Sequence, residues 1–284
     1  MAKPEAPKRK VMGKSQPEKG FPSRFDNIDM KGENTTTEPK IPETNPTEIV
    51  CILDRSWSMD SIKSAAIEGF NGFLADQKSQ PGEATMTIVL FDDKYELLTS
   101  GTPIQEVEPL NATTYVPRGS TALNDAIGRT ITELEKRNPK NAIISILTDG
   151  QENVSTQYQK QQIKDMLKNC SDKGWFVAYL SASIDAFADA KSYGVSMSQT
   201  SSFRADPVGI RTATLGASYA TSSYRSMGAV GMSMGRMSSM PQYMAQASNN
   251  LNMSDINSPS NTSSTTEKKH RWRTKSATKL SVFK

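Results

Sequence analysis

Four short runs of nearly unbroken apolar character constrain this 284-residue chain most: residues 49–53, 85–91, 142–147 and 175–180. A strand with one wet face alternates apolar and polar residues. A continuous run fits a strand buried on both faces, which occurs mainly in parallel sheets covered by helices. The stretches between the runs carry helical spacing. Met59, Ile62, Ala66, Phe70, Phe73 and Gln77 form one stripe, closed by Pro81-Gly82. Leu123, Ile127, Ile131 and Leu134 form a second, ending at Asn138-Pro139, and Ile163, Met166, Leu167 and Cys170 a third, stopped at Gly174. Residues 95–99 follow 85–91 across only Asp92-Asp93-Lys94, a link too short for a crossover helix, so this pair reads as an antiparallel hairpin at a sheet edge. A short helix near 185–191, a small strand near 195–199 and a last helix over 207–225 complete the body. The expected fold is α/β: a mostly parallel central sheet, one antiparallel edge strand and helices on both faces.

The remainder divides by composition. Residues 1–46 are polar and aperiodic and are expected to be disordered. Residues 226–266, rich in Gly, Ser, Met and Asn, read as a linker; the Met-rich run 231–237 within it reads as a flexible or adaptable contact surface, with a soft-metal motif as the alternative. Residues 267–284 are a basic tail, seven Lys/Arg against one Glu, with Trp272 and Phe283 interleaved. Residues 47–225 hold 17 positive and 21 negative charges, so the body is mildly acidic. This argues against a globally basic nucleic-acid-binding domain and leaves such a contact to the tails. No run approaches the roughly 18 apolar residues of a spanning helix. The start, MAKPEAPKRK, lacks an apolar export region. Two cysteines, Cys51 and Cys170, make no disulfide framework, which suits a cytoplasmic setting. The single histidine, His270, lies in the basic tail, which excludes Ser-His-Asp and multi-histidine zinc sites from the body.

Function in open parallel sheets sits beyond the carboxyl ends of the strands. The first strand runs into Asp54-Arg55-Ser56-Trp57-Ser58, the fourth into Thr148-Asp149-Gly150, and the loop Pro117-Arg118-Gly119-Ser120-Thr121 opens a helix. Two carboxylates and three hydroxyls thus converge on one edge. They are hard oxygen donors without sulfur or imidazole, suited to Mg²⁺ or Mn²⁺. Asp92 and Asp93 read as turn residues instead. Glu152 and Asn153 stand either at the rim of the site or in a solvated loop.

Asp54-x-Ser56-x-Ser58, Thr121 and Thr148-Asp149-Gly150, in this order and spacing, resemble the metal-ion-dependent adhesion site of von Willebrand factor type A domains, over roughly residues 47–225. The resemblance implies a Rossmann-like fold and protein binding through a metal completed by an acidic side chain, Asp or Glu, of the partner. It implies direct ligation by Ser56 and Ser58, ligation by Thr121 in one conformational state, and contact by Asp54 and Asp149 mainly through water. Many bacterial members have Gly where Trp57 stands. Trp57 either projects beside the metal or folds back as packing. The closest setting is that of stand-alone cytosolic members in bacteria and their viruses, with a virion component as one case. The expected function is a metal-dependent protein-interaction module. The alternative is a nucleic-acid-associated protein that uses its basic tails. An enzyme is disfavoured, because no general base stands outside the carboxylates that the ion would occupy.

Overall fold

The computed structural model describes residues 46–257. The basic stretches at either end, and the expectation of a nucleic-acid contact made by them, lie outside these residues. The sheet has six strands: β1 (Thr47–Asp54), β2 (Ala84–Phe91), β3 (Tyr95–Pro103), β4 (Asn141–Thr148), β5 (Phe176–Ser181) and β6 (Thr200–Ser202). Their order is β3-β2-β1-β4-β5-β6, and every pairing is parallel except β2 with β3. The α/β architecture with one antiparallel edge strand is therefore as the apolar runs indicate.

β1 lies at the centre, and all eight of its residues are buried. Its side chains alternate between two cores. Ile49, Cys51 and Leu53 face one layer with Phe70, Phe73, Ile210 and Tyr224. Val50 and Ile52 face the other, with Ile127, Ile131, Leu134, Ile163 and Leu167. The helices that supply these residues are α1 (Lys63–Ser79), α2 (Leu123–Arg137), α3 (Lys160–Asp172) and α5 (Pro207–Ser233), and the short α4 (Ala186–Ser192) adds Ala190 to the second core. α2 stops where Asn138 enters the left-handed region at φ 43° and its N–H closes on the Leu134 carbonyl.

Three features differ from the sequence reading. The last strand is Thr200–Ser202, not 195–199. Val195 is buried, and Met197–Gln199 form a 3-10 turn before Thr200 pairs with Tyr179. α5 continues past Arg225 to Ser233, with a break at Gly228, whose φ of 62° no helix holds. The region expected to be a linker contains a further helix, α6 (Met240–Asn257). Met240, Tyr243, Met244 and Ala247, at i, i+3, i+4 and i+7, are all buried on α5 and the sheet layer beneath it. That stripe is narrow and sits in a Ser/Asn-rich background, so average polarity conceals it. Tyr243→Ala is expected to lower stability by about 3 kcal/mol in urea unfolding, and an unchanged midpoint would restore the linker reading.

Among the described residues no helix is long and apolar enough to cross a membrane. Both cysteines are free and buried, and burial pushes each thiol up to about 12.

Candidate metal centre

At the carboxyl end of β1 the chain leaves a fully buried strand, so Asp54 has no exposed surface. Its Oδ1 accepts the Ser56 N–H at 2.7 Å, a local turn that reverses the backbone. A 3-10 turn over Trp57–Ile62 follows, pinned by the buried Met59 and Ile62. These anchors leave Ser58 exposed and Trp57 64% exposed, so Trp57 projects to solvent beside the hydroxyls. β4 ends alongside, since Leu53 pairs with Leu147. The Thr148 hydroxyl donates to Asp54 Oδ2 at 2.6 Å, and Ser58 Oγ donates to Asp149 Oδ1 at 2.6 Å. Ser56 Oγ and Ser58 Oγ are 3.0 Å apart.

Thr121 arrives on the third loop. A Cβ built on Gly150 would lie 2.9 Å from Thr121 Oγ1 and 3.7 Å from Ser58 Oγ, so this glycine keeps the space between the two hydroxyls clear. Asn153 holds Thr121 in place. Its Oδ1 accepts the Thr121 N–H at 3.0 Å, and its own N–H donates to the Thr121 carbonyl at 3.1 Å. All five sequence-derived residues, Asp54, Ser56, Ser58, Thr121 and Asp149, therefore meet at one edge of the sheet.

Burial dominates the electrostatics. It raises the Asp54 carboxyl from 3.8 to about 6, against the lowering hydrogen bonds from Thr148 and Ser56, and the nearby Asp149 charge raises it further. Burial also raises Asp149, with the Ser58 hydroxyl pulling the other way. Two carboxylates held in this way favour a cation.

The donor set fits a small hard ion. Neighbouring ligands in an octahedron of about 2.1 Å radius are about 3.0 Å apart; the two serine hydroxyls, hydrogen-bonded to each other at 3.0 Å, need no displacement to meet that spacing. Asp54 has both oxygens occupied, by Ser56 N–H and Thr148 O–H, and lies behind the hydroxyl layer. Among the described residues no three His, Cys, Asp or Glu side chains cluster, so the donors at this edge are chiefly hydroxyls.

Residues 49–151 match the family model of the von Willebrand factor type A domain. The match spans the strand and loops that carry all five site residues. Among solved structures, the chain is similar to manganese-loaded TRAP protein of Plasmodium vivax: 15% identity, 57% of this chain, 69% of that one, TM-score 0.44. It is similar to the PilB minor pilin of Streptococcus sanguinis: 11% identity, 64% and 62% covered, TM-score 0.49. It is also similar to proximal thread matrix protein 1 of the mussel byssus with a zinc-occupied MIDAS motif: 14% identity, 60% and 46% covered, TM-score 0.44. The chain thus spans under half of the byssus protein. No curated protein matches the sequence.

Several residues around this edge escape a motif reading. Asp92 is a turn residue, accepting the Lys94 N–H at 2.7 Å, but it is also fully buried and bonded to Arg55 Nε at 2.8 Å and Arg118 Nε at 2.9 Å. Glu96 Oε2 takes Arg55 Nη1 at 2.6 Å. The buried Tyr115 hydroxyl donates to the Asp54 carbonyl. Glu152 caps α2 from outside. Ala122 offers α2 no side-chain cap, and Glu152 instead accepts the Asn124 N–H at 2.7 Å. A glutamate two residues after the Thr-Asp-Gly turn is the one signal the sequence carries for it.

Proposed function

We propose that this edge is a metal-dependent protein-interaction site. Asp54, Ser56, Ser58, Thr121 and Asp149 hold one Mg²⁺ or Mn²⁺, Ser56 and Ser58 directly. The observation that carries the reading is the pair of serine hydroxyls at octahedral spacing, backed by two buried carboxylates and open to solvent on one side. When bound, the ion supplies a Lewis-acidic position for an outside carboxylate, because neutral hydroxyl ligands leave it electrophilic. The residues of this chain do the rest. Thr148 and the Ser56 N–H orient Asp54, Asn153 sets the height of Thr121, and Trp57 offers an apolar contact next to the partner's Asp or Glu. The role is binding and not catalysis, since the two carboxylates at the centre are committed to the ion and no histidine stands among the described residues.

The test is retention of proteins on the immobilised full-length chain. Proteins retained in Mg²⁺ are expected to be released by EDTA, and the same proteins are expected to be missing from a Ser56→Ala column. Retention indifferent both to EDTA and to Ser56→Ala would contradict the reading.

A further inference from the structure

We infer that Arg118 and Asp92 form a releasable clamp that positions the Thr121 loop against the Ser56–Ser58 loop. The inference rests on the proposed metal site, because the ligand set is split between these two loops. Their backbones meet at two points only among the described residues. Arg118 N–H donates to the Arg55 carbonyl at 2.9 Å, and Trp57 N–H to the Gly119 carbonyl at a long 3.3 Å. The charged cluster beneath makes the stronger tie. Asp92 Oδ2 is shared by Arg55 Nε and Arg118 Nε, and Glu96 closes the group.

The two arginines are not equivalent. The Arg55 side chain is 2% exposed and that of Arg118 is 47% exposed, around an Asp92 with no exposure at all. Opening the Arg55 bond would strand a buried charge, which the fold does not tolerate cheaply. Opening the Arg118 bond sends a guanidinium into water and leaves Asp92 still paired with Arg55 and with the Lys94 N–H. Arg55 also keeps a buried Nη2 with no acceptor among the described residues. Nε and Nη2 share the guanidinium edge that binds a carboxylate bidentately, so Arg55 has the donor to compensate when Arg118 leaves. Of the two bonds to the buried Asp92, the one that can open belongs to the loop carrying Thr121; Arg118 otherwise has only a longer contact, Nη2 to the half-exposed Glu96 Oε2 at 3.8 Å. On its other side the Thr121 loop is fastened by Asn153, so release at Arg118 pivots the loop and does not unfold it. Arg118 and Asp92 are positioning residues, acting on the site through Gly119 and Thr121.

The experiment compares full-length wild type, Arg118→Ala and Arg118→Lys. Two quantities are read: hydrogen exchange at the Trp57 amide without metal, and affinity for Mn²⁺ by calorimetry. Arg118→Ala is expected to speed Trp57 exchange about tenfold and to weaken Mn²⁺ binding about three- to tenfold, while Arg118→Lys recovers most of both. Exchange at Trp57 that is unchanged, or that rises equally in the β1 and β4 core amides, would overturn the clamp. Faster Trp57 exchange with unchanged Mn²⁺ affinity would overturn its positioning role. Should the wild type take no Mn²⁺, the metal reading falls and the role in positioning it falls with it, but the exchange measurement still decides whether the clamp exists.

Discussion

Asp54→Asn is expected to make the metal-free protein more stable at pH 7.5, by about 2–3 kcal/mol, while removing the stabilisation that Mn²⁺ gives the wild type. The sign follows from the raised carboxyl, which moves from 3.8 to about 6 in the folded chain through burial. Between those values the folded state holds a proton that the unfolded state has released. Folding stability therefore falls as pH rises through that window, and stays lower above it. Asparagine has no such proton to lose, so the variant is flat across the window. The difference between the proteins vanishes near pH 4 and is full above pH 6. Hydrogen bonding survives, because the asparagine oxygen still accepts one N–H and Thr148 Oγ can turn its proton to the Gly150 carbonyl at 3.0 Å. Urea unfolding in EDTA at pH 4 and pH 7.5 reads the effect. A variant no more stable than wild type at pH 7.5 would show that burial does not raise the Asp54 carboxyl as described above. A site that destabilises its own fold in the absence of ligand is typical of residues kept for function.

Glu152→Ala is expected to lower stability by about 3 kcal/mol and to loosen the Thr121 loop as well. Glu152 Oε1 accepts the N–H groups of Val154 and Ser155 at 3.0 and 2.7 Å. Its Oε2 accepts the Asn124 N–H at 2.7 Å and the Ser155 hydroxyl at 2.6 Å. Truncation leaves these donors without their acceptor and uncaps the first turn of α2. Ser155 in turn caps Asp125, whose N–H donates to Ser155 Oγ at 3.0 Å, so the loss spreads along the segment that carries Asn153. Glu152→Gln, which keeps an acceptor, should recover about half. Thermal unfolding measures the first effect, and exchange at the Thr121 amide the second. A loss below about 0.5 kcal/mol would place Glu152 among ordinary solvated residues.

How far the sequence carries can be seen residue by residue. β1, β2, β4 and β5 were legible because they are buried on both faces, which turns burial into an unbroken apolar run. The convergence of the five candidate residues was legible because Asp54, Ser56, Ser58 and Asp149 stand at or just beyond the ends of β1 and β4 and Thr121 on the loop that opens α2; the ligand roles proposed for them rest on the resemblance. β6 was displaced by a few residues, since a three-residue strand of Thr and Ser carries no pattern of its own and is set by pairing with Tyr179. α6 was missed because the buried Met240, Tyr243, Met244 and Ala247 do not raise the average hydropathy of a Ser/Asn-rich stretch. The Arg55–Asp92–Arg118 cluster was missed for a different reason. Its members stand 37 and 26 residues apart, and no local periodicity marks which surface-type charges will meet inside a fold.

The most direct measurement is a calorimetric titration of the full-length chain with Mn²⁺, run beside Ser56→Ala and Asp54→Asn. The expected result is one ion per wild-type chain, and no binding in either variant although both remain folded by circular dichroism. Binding in the wild type that persists undiminished in both variants, or no binding in a folded wild type, would contradict the assignment of this edge as a metal centre.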